Sequence, residues 1–102
     1  MSLRIRLDPA ARDEFREAIQ WYETARQGLG DEFRLEVESY VERAAARELP
    51  GTSLGSRHSH ALRKLFLHRF PFALIFEIQA DELVVWAVAH TKRRPGFWRS
   101  RI

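Results

Sequence analysis

The alternation of apolar and polar positions predicts six elements in the order strand, helix, helix, strand, strand, strand. "SLRIRL" alternates strictly, so Leu3, Ile5 and Leu7 share one face of a short strand. Asp8 caps the helix that follows, with Pro9 at its first position, where a missing N–H costs nothing. Ala11, Phe15, Ala18, Ile19 and Tyr22 recur at helical spacing. Gly28 is expected to end this helix, and "GLG" to make the turn. Asp31 then lies in the first turn of a second helix, whose buried stripe is Phe33, Val37, Tyr40, Val41 and Ala44 and whose end is Pro50-Gly51. The short connection makes the pair an antiparallel hairpin.

"GTSLGSRHSH", residues 51–60, has loop composition. Beyond it "ALRKLFLHR" alternates, while "PFALIFEI" and "ELVVWAVAH" are almost continuously apolar. Pro71 and "QADE" supply turns, so the three strands read as an antiparallel meander. In the first of them Arg63, Leu65, Leu67 and Arg69 share a face, and Leu62, Lys64, Phe66 and His68 share the other. In the last, Val84, Trp86, Val88 and His90 fall together. Both helices are amphipathic and need a partner, so the expected fold is α+β: an antiparallel sheet with a helix hairpin packed on one face.

Length and composition add bounds. A chain of 102 residues is expected to form one domain, 1–102, with 45% hydrophobic and 30% charged residues fitting a soluble protein. No cysteine is present, which removes disulfides and thiolate metal sites and points to a reducing compartment. "MSLRIRLDPAARDEF" has no signal-peptide h-region, and no apolar run reaches the roughly 18 residues of a membrane span. A cytoplasmic protein without membrane contact is expected. The net charge of +3 is unevenly spread. Residues 1–56 hold 8 Lys/Arg and 11 Asp/Glu, whereas residues 57–102 hold 9 and 3, a local net of +6. That asymmetry points to an anionic partner.

Much of that charge follows the last strand in "HTKRRPGFWRSR", where Arg93, Arg94, Arg99 and Arg101 surround Phe97 and Trp98. The aromatics are expected to fold the tail back onto the sheet and leave the arginines outside. His90 is the sharpest candidate for proton transfer, the chemistry to which histidine as a residue type is suited. His58-x-His60 has metal-binding spacing but no third ligand beside it, so neither a metal nor a cofactor is expected. Trp21 lies at the edge of the first helix's stripe, a contact for a partner beside Tyr22. "GLG" lacks the strand and Lys-Ser/Thr of a phosphate loop. The acidic helix pair argues against a DNA-reading helix–turn–helix.

"AARDEFREAIQWYE" with "GLGDEF", then "LRKLFLHRFPFALIFEI", then "LVVWAVAHTKRRPGFWRSR" together resemble the RelE/ParE superfamily of type II toxin–antitoxin toxins. The resemblance spans nearly the whole chain and implies a growth-inhibiting toxin neutralised by a cognate antitoxin, ParD-like or related. Trp21 and Tyr22 are then candidates for binding that antitoxin. RelE-like members cut mRNA on the ribosome; ParE-like members poison DNA gyrase. Carried over residue by residue, the nuclease pattern places Lys64, His90 and Arg93 as catalytic candidates. Its third-strand arginine falls at Ala73, its C-terminal tyrosine near Trp98, and no tyrosine follows Tyr40. These departures favour the ParE branch and gyrase as partner, with ribosome and mRNA as the alternative. Arg63, Arg69, Arg93, Arg94, Trp98 and Arg99 are the residues expected to meet the target or nucleic acid.

Overall fold

In a computed structural model that describes residues 2–102, the chain runs β1 (Arg4–Leu7), α1 (Pro9–Ala25), α2 (Leu29–Ala45), β2 (Thr52–Arg57), β3 (His60–Phe66), β4 (Phe72–Gln79) and β5 (Glu82–His90), and ends in a 3-10 turn over Phe97–Arg101. The five strands form one sheet in the order β1-β5-β4-β3-β2. β3, β4 and β5 are the antiparallel meander read from the sequence. Two features of the sheet differ from that reading. β1 pairs with β5 in parallel, so the sheet is mixed. Residues 52–57, expected as loop, form the edge strand β2. Its turn back to β3 is His58-Ser59, both at positive φ (49° and 68°), the tight geometry a two-residue hairpin requires and one that glycine or asparagine usually signals.

The helix hairpin forms for visible reasons. The Asp8 carboxylate accepts from the Ala10 N–H at 3.0 Å, and Pro9 opens α1. α1 stops at Ala25, earlier than expected; Gly28, in the left-handed region at φ 88°, starts α2 instead of ending α1. Glu23 reaches across to accept from the Gly28 and Gly30 N–H groups at 2.9 and 3.0 Å, satisfying the free donors of α2. Gly30 is where the helices touch: a Cβ there would lie 2.7 Å from the Ile19 carbonyl oxygen.

Both helices lie on one sheet face. Phe33, fully buried, meets Phe70 and Phe72 edge-on at about 5 Å between ring centres, with Tyr22 and Phe15 beside it. A second cluster on the opposite face holds Leu62, Ile75, Val84, Trp86, Ala89 and Trp98. The sheet's faces are divided by a bulge. Ile75 pairs with Ala87 and Phe76 with Val85, leaving Trp86 as the extra residue of β5. Strict alternation would keep Val84, Trp86, Val88 and His90 on one face. The bulge reverses the parity, so Val88 joins the helix-side core and His90 pairs with Phe72 on that side.

Candidate functional site

The tail is laid down by backbone bonds and one ionic clasp. After β5, the Thr91 N–H donates to the Pro71 carbonyl at 2.8 Å and the Arg93 N–H to that of His90 at 3.0 Å. Gly96, at φ 77°, reverses the chain, and Trp98 enters the second core, 5% exposed. β1 covers the edge of β5 only as far as Val85. Beyond that point two side chains take the place of a strand. Glu14 of α1 accepts from the Val88 N–H at 3.0 Å, and the Arg101 guanidinium donates to the Trp86 carbonyl at 3.0 Å. Arg101 also grips Glu14 through two bonds of 2.9 and 2.8 Å, and Arg93 adds a third at 3.0 Å. The hydrogen bonds it donates to Glu14 hold the Arg101 guanidinium above its ordinary pKa. The tail is thereby fixed to α1 around the sheet edge.

Between the tail and β3–β5 lies a cleft of about 310 Å³. Its floor is apolar, from Leu54, Ala73, Ile75 and Ala89; its walls carry Lys64, Arg93, Arg94 and Arg99. Among the described residues no carboxylate lines it. Arg93 lies 3.6 Å over the Phe97 ring and is paired with Glu14, so its charge is largely answered. Lys64, Arg94 and Arg99 have no ion partner among the described residues. Lys64 Nζ sits 4.7 Å from the centre of the Phe66 ring, and Arg99 packs 4.9 Å over Trp98. With several cations and no counter-charge, the cleft favours an anion.

His90 stands between this cleft and a second one, of about 380 Å³, lined also by Trp21, Tyr22, Phe72, Glu14 and Glu17. Its Nδ1 accepts from the Lys92 N–H at 3.1 Å, which puts the neutral ring's proton on Nε2. Such a ring can donate from Nε2 but has no free lone pair to act as a base. Trp21 is 73% exposed, and burial pushes the Tyr22 hydroxyl above its ordinary pKa. A third groove, of about 330 Å³, runs between the helices, β1 and β5, past Ile5, Leu7, Phe15, Val37 and Val41, with Glu38 and Glu42 also in its lining. Nothing in the strand and helix patterns marks it, because it arises where β1 meets α2.

The structure brings together Lys64, His90, Arg93, Arg94 and Arg99, and puts Trp21 and Tyr22 on the neighbouring cleft. Two other candidates, Arg63 and Arg69, stand apart from the basic cleft, and a third, Trp98, lines it as part of the core. Arg63 lies on the opposite face of β3 and donates to the Pro50 and Gly51 carbonyls, tying down the α2–β2 connection. Arg69, in the β3–β4 turn, pairs with Glu32 of α2 at 2.7 Å. Trp98 lines the cleft but is buried as a core residue. His60 is spent elsewhere: its Nδ1 lies 2.5 Å from Glu77, a buried carboxylate that also accepts from Trp86 Nε1 at 2.8 Å and Gln79 Nε2 at 2.9 Å. Sequence reasoning missed both Glu14 and Glu77. Glu14 looks like one of many helix-surface acids, and Glu77 interrupts an apolar run that gives no sign of its partners.

Comparison with known proteins bears on the family and the fold. The model of the ParE toxin of the type II toxin–antitoxin system, parDE, matches residues 5–95. A solved structure described as a chromosomal ParDE TA system from P. aeruginosa is similar with a TM-score of 0.72 at 14% identity, over 89% of this chain and 98% of that one. No curated protein matches the chain. Among the described residues no helix is long and apolar enough to cross a membrane.

Proposed function

The chain belongs to the ParE toxin family of type II toxin–antitoxin systems, and from that membership we propose that it arrests growth by docking on DNA gyrase through the basic cleft, performing no chemistry of its own. One observation carries this reading: the cleft gathers Lys64, Arg94 and Arg99 but holds neither a carboxylate nor a tyrosine. Phosphodiester cleavage through a ribose hydroxyl needs a base, an acid and cations on the phosphate. Only the cations are assembled here, and His90 has its Nδ1 committed to the Lys92 N–H. An anion-holding surface without proton-transfer partners suits stalling a DNA-bound enzyme.

A cognate antitoxin, ParD-like or related, is the second partner. Trp21 and Tyr22, on a cleft separate from the free cations, are its proposed contacts. A disordered segment that folds against these rings would order itself on binding. The rival reading, a ribosome-dependent mRNA endoribonuclease, draws on the fact that Lys64, His90 and Arg93 do line one cleft. Supercoiling and cleavage assays with purified toxin and gyrase, run beside mRNA cleavage on programmed ribosomes, separate the two. Inhibited supercoiling with intact mRNA is the expected result. Cut mRNA, abolished by His90→Ala, with gyrase unaffected, would transfer the cleft to the nuclease reading.

A further inference from the structure

On the tail side of the sheet, one large ring is left in solvent. Phe66 of β3 is 59% exposed, while Trp98, which lines the same cleft, is buried. Its neighbours on the cleft floor, Ala73 and Ala89, are small, so the cleft beside the ring stays open. Lys64 stands 4.7 Å from its centre, and Arg94 and Arg99 form the far wall. The Arg99 backbone is itself held, its carbonyl accepting from Arg57 Nε at 3.3 Å. An exposed ring, capped only by a flexible Lys64 ammonium that can swing onto a phosphate, with Arg94 and Arg99 on the same cleft, matches a base stacked on the ring and its phosphates on the cations. Neither of the simpler anions uses the ring. An acidic peptide needs only the cations, and a duplex offers phosphates and base edges with its π-faces already stacked.

We propose that the cleft binds single-stranded DNA, with one base stacked on Phe66 and the flanking phosphates held by Lys64, Arg94 and Arg99. The assignment to DNA rests on the gyrase reading, in which broken DNA supplies unpaired nucleotides. The apolar floor agrees with it, since a thymine methyl gains from contact with alanine side chains where uracil has none.

The test is fluorescence anisotropy on the purified full-length chain with a labelled oligothymidylate, compared with a duplex of equal length and with oligouridylate. The single strand is expected to bind more tightly than either. Three phosphate contacts predict a log–log salt slope of about −2. Phe66→Ala is expected to weaken binding roughly ten-fold, and Phe66→Tyr to restore it, because any aromatic face serves. Arg43→Ala, an exposed site on α2, is expected to leave it unchanged. Equal affinity for duplex, no loss in Phe66→Ala, or displacement by polyglutamate as readily as by unlabelled strand would overturn the proposal. Preference for oligouridylate would overturn the assignment to DNA. Gyrase inhibition by a toxin that binds no free strand would sink this inference and leave the gyrase reading standing. Strand binding without gyrase inhibition would do the reverse.

Discussion

On the helix side of the sheet, two 17-residue helices lay Tyr22 and Phe33 against Phe70 and Phe72, with Phe15 beside Phe33; on the other side a five-residue turn inserts Trp98, with only Phe97 and Ile102 of the tail partly buried beside it. The first cover is thick enough to seal its face. The second is thin, and it leaves Phe66 and three unpaired cations around an open cleft. The contrast separates two tasks carried by one sheet: the helix side supplies the cooperative core, and the tail side presents a surface. Even the polar residues follow the division. Glu32 and Glu36 hold the β3–β4 turn through Arg69, whereas among the described residues no acid answers Lys64, Arg94 or Arg99.

Substitutions that break one face at a time sharpen this contrast. The largest effect belongs to Phe33→Ala. The ring is fully buried among four others, so its loss is expected to cost about 3–5 kcal/mol by urea denaturation, a large fraction of a small domain's stability. Trp98→Ala empties the thin cover and is expected to cost about 3 kcal/mol, at the lower end for a buried aromatic, and to expose residues 97–102 to amide exchange. A Trp98 variant as stable as the wild type would mean that the tail is not a structural cover.

Glu14→Ala tests the clasp between the two sides. It removes the acceptor for Arg93, Arg101 and the Val88 N–H, and is expected to cost about 2 kcal/mol while freeing the tail. Glu14→Gln should retain part of that stability, since the amide oxygen still accepts. The smallest effect is a pH dependence. The Arg69 hydrogen bond, followed by Arg26, holds the Glu32 carboxyl below its ordinary 4.5. The stabilisation is therefore present above pH 4.5 and is lost as pH falls through the lower folded-state pKa. Stability curves of wild type and Arg69→Ala should converge in acid and separate slightly near neutrality.

How much of this was legible follows from the kind of interaction involved. α1, α2 and the meander were readable because each rests on local periodicity and on caps such as Asp8-Pro9. The fold-back of Phe97 and Trp98 was readable because large rings after a core strand need cover. β2 was hidden by "TSLGSR", whose glycine and serines look like loop, and by a hairpin turn built from His58 and Ser59. The bulge at Trp86 was hidden because β5 is apolar on both faces and its parity leaves no mark in the sequence. The site was legible as a cluster of charge, yet not as a geometry. Arg63 and Lys64 are adjacent in sequence and point to opposite faces, and Glu14 meets Arg101 across 87 positions.

The central claim, that the thinly covered face is a docking surface rather than a core or a catalyst, is tested most directly by gyrase supercoiling in the presence of the wild type and of a Lys64→Ala, Arg94→Ala double variant, with melting temperatures measured alongside. Both side chains are surface groups without ion partners, so the account predicts a stability change of no more than about 0.5 kcal/mol per substitution together with loss of inhibition. A double variant that inhibits gyrase as strongly as the wild type would contradict it.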